Sequence, residues 1–102
     1  MGASQAAPAG TVREIGFANL NTGQATVGTA ATLICGGVYG LGSTVIVNHG
    51  TTDIFIGNAG VTTATGILLP GVKGASIDLD FAGDVYGVVA SGTQDVSFAQ
   101  SY

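Results

Sequence analysis

Positive charge is almost absent from this sequence: Arg13 and Lys73 stand alone against six acidic residues, for a net charge of −4. Such a surface lacks the Lys and Arg that neutralise phosphates, which excludes nucleic-acid binding through a basic face. Charge of either sign is scarce, at 8% of the chain, where ordinary soluble domains carry about 25%. So much uncharged surface implies that part of it is covered, by copies of the same chain or by a larger assembly. No run approaches the roughly 18 consecutive apolar residues of a membrane-spanning helix, so no membrane partner is expected.

Long glycine-free stretches are missing too. Eighteen Gly are scattered through the 102 residues, and Thr93–Tyr102 is the one Gly-free stretch that reaches ten residues. It alternates apolar and polar instead of showing helical spacing, so an extended helix has nowhere to sit. Between the turn signals Thr, Val, Ile and Gly dominate, the composition of short strands joined by tight turns. We therefore expect an all-β fold: a single small β-sandwich of about 7–8 short antiparallel strands, jelly-roll or Ig-like, with an extended N-terminal arm. The expected division is 1–24 as the arm and 25–102 as the sandwich.

The single Cys35 has no partner for an internal disulfide. It follows Leu33-Ile34 with no flanking charge to lower its pKa, which reads as a small buried thiol. The first ten residues lack the basic region and apolar core of a secretory signal, and Ala6 stands where myristoylation needs Ser or Thr. They are small and polar, with too little apolar surface to fold alone. Beyond them, Thr11–Leu20 alternates weakly, with Arg13, Ile15 and Phe17 on one side. It reads either as an arm that pairs on meeting a partner or as a first strand behind a frayed end.

From Ala25 the strands come at short, regular intervals. Ala25–Cys35 is expected as one strand carrying Val27, Thr29, Ala31, Leu33 and Cys35 on one face. Ser43–Gly57 holds two runs rich in β-branched and aromatic residues around Asn48-His49-Gly50-Thr51-Thr52, which predicts a β-hairpin. Alternation there puts Ile46 opposite Val45 and Val47, and Ile54 and Ile56 opposite Asp53 and Phe55. Val61–Gly66 then Ile67–Pro70 reads as an irregular crossing. Ala75–Phe81 is the clearest strand, with Ile77, Leu79 and Phe81 inward. Val85–Ala90 is apolar on both faces and belongs in a central or covered position, and the last strand, Asp95–Tyr102, points Val96 and Phe98 one way.

The search for chemistry returns little. Gly37-Val-Tyr-Gly-Leu-Gly42 lacks both the Lys and the following helix of a phosphate loop. His49 is the lone histidine, placed in a turn, with no second ligand set for a transition metal. Asp78 and Asp80 share a strand face with Asp84 in the next turn, which reads as a solvated face deterring edge pairing, with a hard-cation site as the alternative. No nucleophile, base and oxyanion donor combine in a readable arrangement, so no catalytic residue, no metal and no cofactor is expected, and the chain is not read as an enzyme. Tyr39, Tyr86 and Tyr102 read as strand aromatics or interface anchors.

The runs Ser43-Thr-Val-Ile-Val-Asn-His-Gly-Thr-Thr-Asp-Ile-Phe-Ile-Gly57, Val61-Thr-Thr-Ala-Thr-Gly-Ile-Leu-Leu-Pro-Gly71, Ala75-Ser-Ile-Asp-Leu79 and Val85-Tyr-Gly-Val-Val-Ala-Ser-Gly92 resemble small β-proteins encoded with the virion genes of tailed bacteriophages. That group comprises capsid decoration (cement) proteins and minor virion components. The resemblance implies a homotrimeric or otherwise symmetric β-sandwich on the virion's capsid exterior, made in the bacterial host cytoplasm and bridging adjacent major capsid protein subunits. The residues expected to make capsid or intersubunit contacts are Val12, Arg13, Ile15, Phe17 and Leu20 in the arm, with Tyr39 and Tyr102. The alternative it leaves open is a head-fibre or tail-tip module that binds a receptor or carbohydrate.

Overall fold

The computed structural model describes residues 18–102, so Val12, Arg13, Ile15 and Phe17 lie outside the described residues. Among the described residues eight strands form: β1 Leu20–Val27, β2 Thr32–Cys35, β3 Ser43–Asn48, β4 Ile54–Gly57, β5 Ile67–Leu69, β6 Ser76–Leu79, β7 Val85–Val88 and β8 Gln94–Ser101. They build two four-stranded antiparallel sheets, β1-β8-β3-β6 and β2-β7-β4-β5. The pairs β1·β8, β2·β7, β3·β6 and β4·β5 are nested, as if one long hairpin had been rolled up around its tip. This is the strand order of a jelly roll, and it removes the Ig-like alternative.

Only one of the connections, β4 to β5, joins neighbours in the same sheet; every other one crosses from sheet to sheet. Each crossing places the inward face of both flanking strands in one shared core. Ile46 of β3 and Ile54 and Ile56 of β4 pack there from opposite sheets, with Val27, Ile34, Cys35, Leu69, Val85, Val89 and Val96. Burying an Ile or Leu side chain contributes about 1.5–3 kcal/mol, so this compact, mostly β-branched set is what holds the two layers together.

The Ser43–Gly57 hairpin does not form. β3 pairs with β6 and β8, β4 pairs with β5 and β7, and the Asn48–Thr52 segment is an arch between sheets. A hairpin would place Ile46 and Ile54 on the same sheet, whereas the arch lets them face each other across the core. Asn48, fully buried, holds it. Its side-chain amide donates to the Thr52 carbonyl at 2.9 Å and the Pro70 carbonyl at 3.0 Å, while its Oδ1 accepts from the Gly50 N–H at 2.9 Å. Gly71 completes the crossing: its N–H donates to Asp53 Oδ1 at 2.6 Å. A Cβ on Gly71 would lie 2.7 Å from the Thr51 carbonyl carbon and closer still to its oxygen.

Three further expectations are corrected. Ala25–Cys35 is two strands in different sheets, separated by a turn in which Thr32 Oγ1 accepts from the Gly28 N–H at 3.2 Å and donates to the Ala30 carbonyl at 2.8 Å. A hydroxyl that serves the turn from both sides competes with continued extension. The boundary between 24 and 25 falls inside β1, whose Leu20–Gln24 pair with Ser101–Ser97. Phe81 lies past the end of β6 and is half-exposed, because β6 is an edge strand with only Ile77 and Leu79 reaching the core. The alternation within β3, β4 and β8 and the central place of β7 stand as read.

Replacing Asn48 with Ala leaves two carbonyls and one N–H of the arch without their partner and is expected to cost about 2–3 kcal/mol in urea unfolding. Gly71→Ala must displace backbone at Thr51 and is expected to cost about 1–3 kcal/mol. An Asn48→Ala variant as stable as the parent would remove the arch from its central place.

Candidate interaction surface

The candidate interaction residues are the large apolar side chains left in water among the described residues. They are Leu20, Leu33, Tyr39, Leu41, Ile67, Leu68, Val72 and Phe81, with Tyr39 at 97%, Leu41 at 85% and Leu20 at 71% exposure. Four of the eight collect at one end of the sandwich. Leu20 opens β1 opposite Ser101, and Asn19 and Tyr102 exchange backbone hydrogen bonds of 2.8 and 3.0 Å beside it. The Val38–Gly42 loop packs there as well, since a Cβ on Gly42 would meet Val38, the Ser101 carbonyl and Tyr102. Val38 N–H donates to the Ala82 carbonyl at 2.8 Å, which brings in the turn after Phe81.

The structure therefore gathers Leu20, Tyr39 and Tyr102, three residues picked from the sequence, on one end. It adds Leu41, and Phe81, which the sequence places on the inward face of the Ala75–Phe81 strand. Leu41 falls in the Gly37–Gly42 run, whose glycines raise only the question of a phosphate loop in the sequence, and the structure leaves its side chain exposed. Next to them an apolar cleft of about 180 Å³ opens between the sheets, lined by Ile56, Ile67, Leu79, Phe81 and Val85 with the Asp84 carboxylate at its side.

The remaining polar residues serve the scaffold. Asp84 accepts from the Gly37 N–H at 2.6 Å, tying two loops of the same end. Asp78 lies on edge strand β6, and no group of three or more His, Cys, Asp or Glu gathers around a metal-sized space among the described residues. His49 pairs through Nε2 with Ser97 Oγ, which pins the arch to β8 on the outer face of the first sheet. The 48-residue separation hides that pair from any local reading. Gln100, also buried, donates to the Gly36 carbonyl at 2.5 Å and accepts from Asn21 at 2.8 Å, so its polar atoms are matched within the core.

Cys35 is buried as expected. Its thiol is pushed up from the usual 9.0 to about 11, first by desolvation and then by the nearby Asp84 charge, with a hydrogen bond from the Val85 backbone pulling the other way. Such a thiol is a poor nucleophile at neutral pH.

No family model, no curated protein and no solved structure matches the chain. The surface is thus described by its own geometry: an end of the sandwich where apolar side chains stand exposed, with the Asp84 carboxylate at its side.

The Cys35 environment makes a pH prediction. Because the folded state holds the thiol protonated, its contribution is fully present below pH 9 and is lost as pH rises through about 11. The loss amounts to roughly 2–3 kcal/mol of unfolding free energy. Cys35→Ala should flatten that alkaline fall in denaturant titrations compared with the parent; parallel curves for the two proteins would contradict it.

Proposed function

We propose that this chain is a structural virion protein, a capsid decoration or cement protein that binds across major capsid protein subunits from the outside of the head and acts by binding, not catalysis. The observation that carries the reading is the end of the sandwich where Leu20, Tyr39, Leu41 and Phe81 stand exposed beside Tyr102. An apolar end on a chain with so little charge needs a cover, and Asn19, bonded to Tyr102, lies at the same end. The sequence resemblance to tailed-phage virion proteins supplies the identity of the cover. Jelly rolls serve as capsid domains, which accords with the reading at the level of fold.

The mechanism is mass action. A subunit that binds the assembled shell, and not the separated capsid proteins, lowers the free energy of the shell by an amount set by its concentration relative to its Kd. Several copies placed symmetrically on the shell, each with its own apolar end, multiply that effect.

A second reading has one observation of its own. Tyr39, exposed at the tip of a loop and flanked by Gly40 with φ of 71°, is the kind of aromatic that stacks on a sugar ring, and jelly rolls also serve as lectins. A receptor- or carbohydrate-binding module on a head fibre or tail tip follows from it.

Two measurements separate the readings. Decoration predicts hundreds of copies per purified particle, and a fibre or tail-tip position predicts a handful. In the same particles, Leu41→Asp is expected to lower capsid occupancy at least about tenfold, a loss of roughly 1.4 kcal/mol or more, while leaving the isolated domain's stability within about 0.5 kcal/mol because the side chain is exposed. Deletion of residues 1–18, which spares β1, tests the arm. Full occupancy by both variants, with loss of host attachment in Tyr39→Ala, would replace decoration with the second reading.

A further inference from the structure

We propose that β1 is the seam of a homodimer, in which two copies join antiparallel along this edge and turn two four-stranded sheets into one eight-stranded sheet. The proposal is independent of the virion reading and rests on which backbone groups β1 leaves unmatched.

Asn19 and Tyr102 exchange both of their backbone hydrogen bonds. In an antiparallel ladder such pairs alternate with pairs whose N–H and C=O groups point away from each other. Stepping along the β1·β8 register, Asn21, Gly23, Ala25 and Val27 are therefore bonded to β8. Leu20, Thr22, Gln24 and Thr26 turn their N–H and C=O groups outward, away from β8. All four residues are exposed, and among the described residues no hydrogen bond reaches those outward groups.

Proteins guard such edges with shortness, charge, proline or a bulge, and the other three edges of this sandwich carry those devices. β5 is three residues long and runs into Pro70. β6 has Asp78 within it and Asp80 just beyond. β2 is four residues long and its register shifts between Leu33 and Cys35. β1 is eight residues, Leu20-Asn-Thr-Gly-Gln-Ala-Thr-Val27, with no charge and no proline. Among the described residues it is the one unguarded edge.

The occupant that fits is a second copy of the same strand. With the twofold axis at Gly23, Thr22 of one copy faces Gln24 of the other and Leu20 faces Thr26, so outward groups meet outward groups along the whole length. Isologous pairing needs this self-complementarity. Molecules of net charge −4 meet there along an uncharged line. At the axis the two strands form a close pair without mutual hydrogen bonds, and Gly23 brings no side chain to it. The place its Cβ would take is filled from its own molecule by the Phe98 ring, 2.7 Å away.

The test uses the full chain. Sedimentation equilibrium from low micromolar to near-millimolar concentration is expected to show a reversible dimer. Amide exchange is expected to slow at least about tenfold with concentration at Leu20, Thr22, Gln24 and Thr26, while Asn21, Gly23, Ala25 and Val27 stay protected throughout. Thr22→Pro removes only an outward N–H and should give a folded monomer. Gln24→Lys, which puts a charge on the exposed face of the edge, should do the same without touching the backbone. A chain that stays monomeric across the range overturns the proposal, as does a dimer that Gln24→Lys leaves intact. Protection of the four outward amides in a monomer also overturns it, by assigning the edge to the chain's own residues 1–17.

Discussion

The jelly roll depends on one buried amide. The chain passes from sheet to sheet at almost every connection, and each passage takes backbone polar groups out of a ladder that would otherwise satisfy them. At the β3–β4 arch the Asn48 side chain supplies the missing partners, bonding the arch itself through Gly50 and Thr52 and the next crossing through Pro70. Its backbone does similar work, donating to Ala75 and accepting from Gly74. One residue thus fixes where β3 stops, where β4 starts and how the β5–β6 connection passes beneath them.

From that point the architecture separates into two ends with different chemistry. The Asn48 end is polar and internally matched: Asp53 with Gly71, Thr52 with Gln94, and His49 with Ser97. The opposite end holds the exposed Leu20, Tyr39, Leu41 and Phe81 and the open cleft between the sheets. A sandwich closes one end by hydrogen bonds and leaves the other to be closed by something else. That asymmetry, more than any single residue, is why an interaction surface is sought at the second end. The β1 edge shares Leu20 with that end and otherwise runs along the side of the first sheet, where it offers unmatched backbone groups and little apolar area.

Parts of this were legible in the residues. Period-two alternation placed Ile46, Ile54, Ile56, Val96 and Phe98 on their inward faces, because side-chain direction within a strand is set locally. The apolar character of both faces of Val85–Val88 marked it as central, since only a strand with neighbours on each side and a covered outer face tolerates it. Leu20, Tyr39 and Tyr102 were legible as residue types and not as neighbours. Leu41 was not legible because the Gly37–Gly42 run draws attention through its glycines, and exposure in a loop is decided by the packing around it. The β3–β4 segment was misread because an Asn-x-Gly turn between two β-rich runs has the same composition whether the strands pair or separate into different sheets.

The sequence by itself determined that the chain is all-β, that its strands are short, which side chains within most strands share a face and that its surface is poor in charge. Each of these follows from composition or from neighbours within a few residues. Tertiary structure alone decided the nested pairing of β1 with β8 and β2 with β7, the arch in place of a hairpin, and the meeting of the Val38–Gly42 loop with Ser101 and Tyr102. The physical reason is that strand pairing is carried by backbone groups that every residue shares. Which strands meet is settled by how the inward faces can be buried together, a property of the whole chain and of no segment within it.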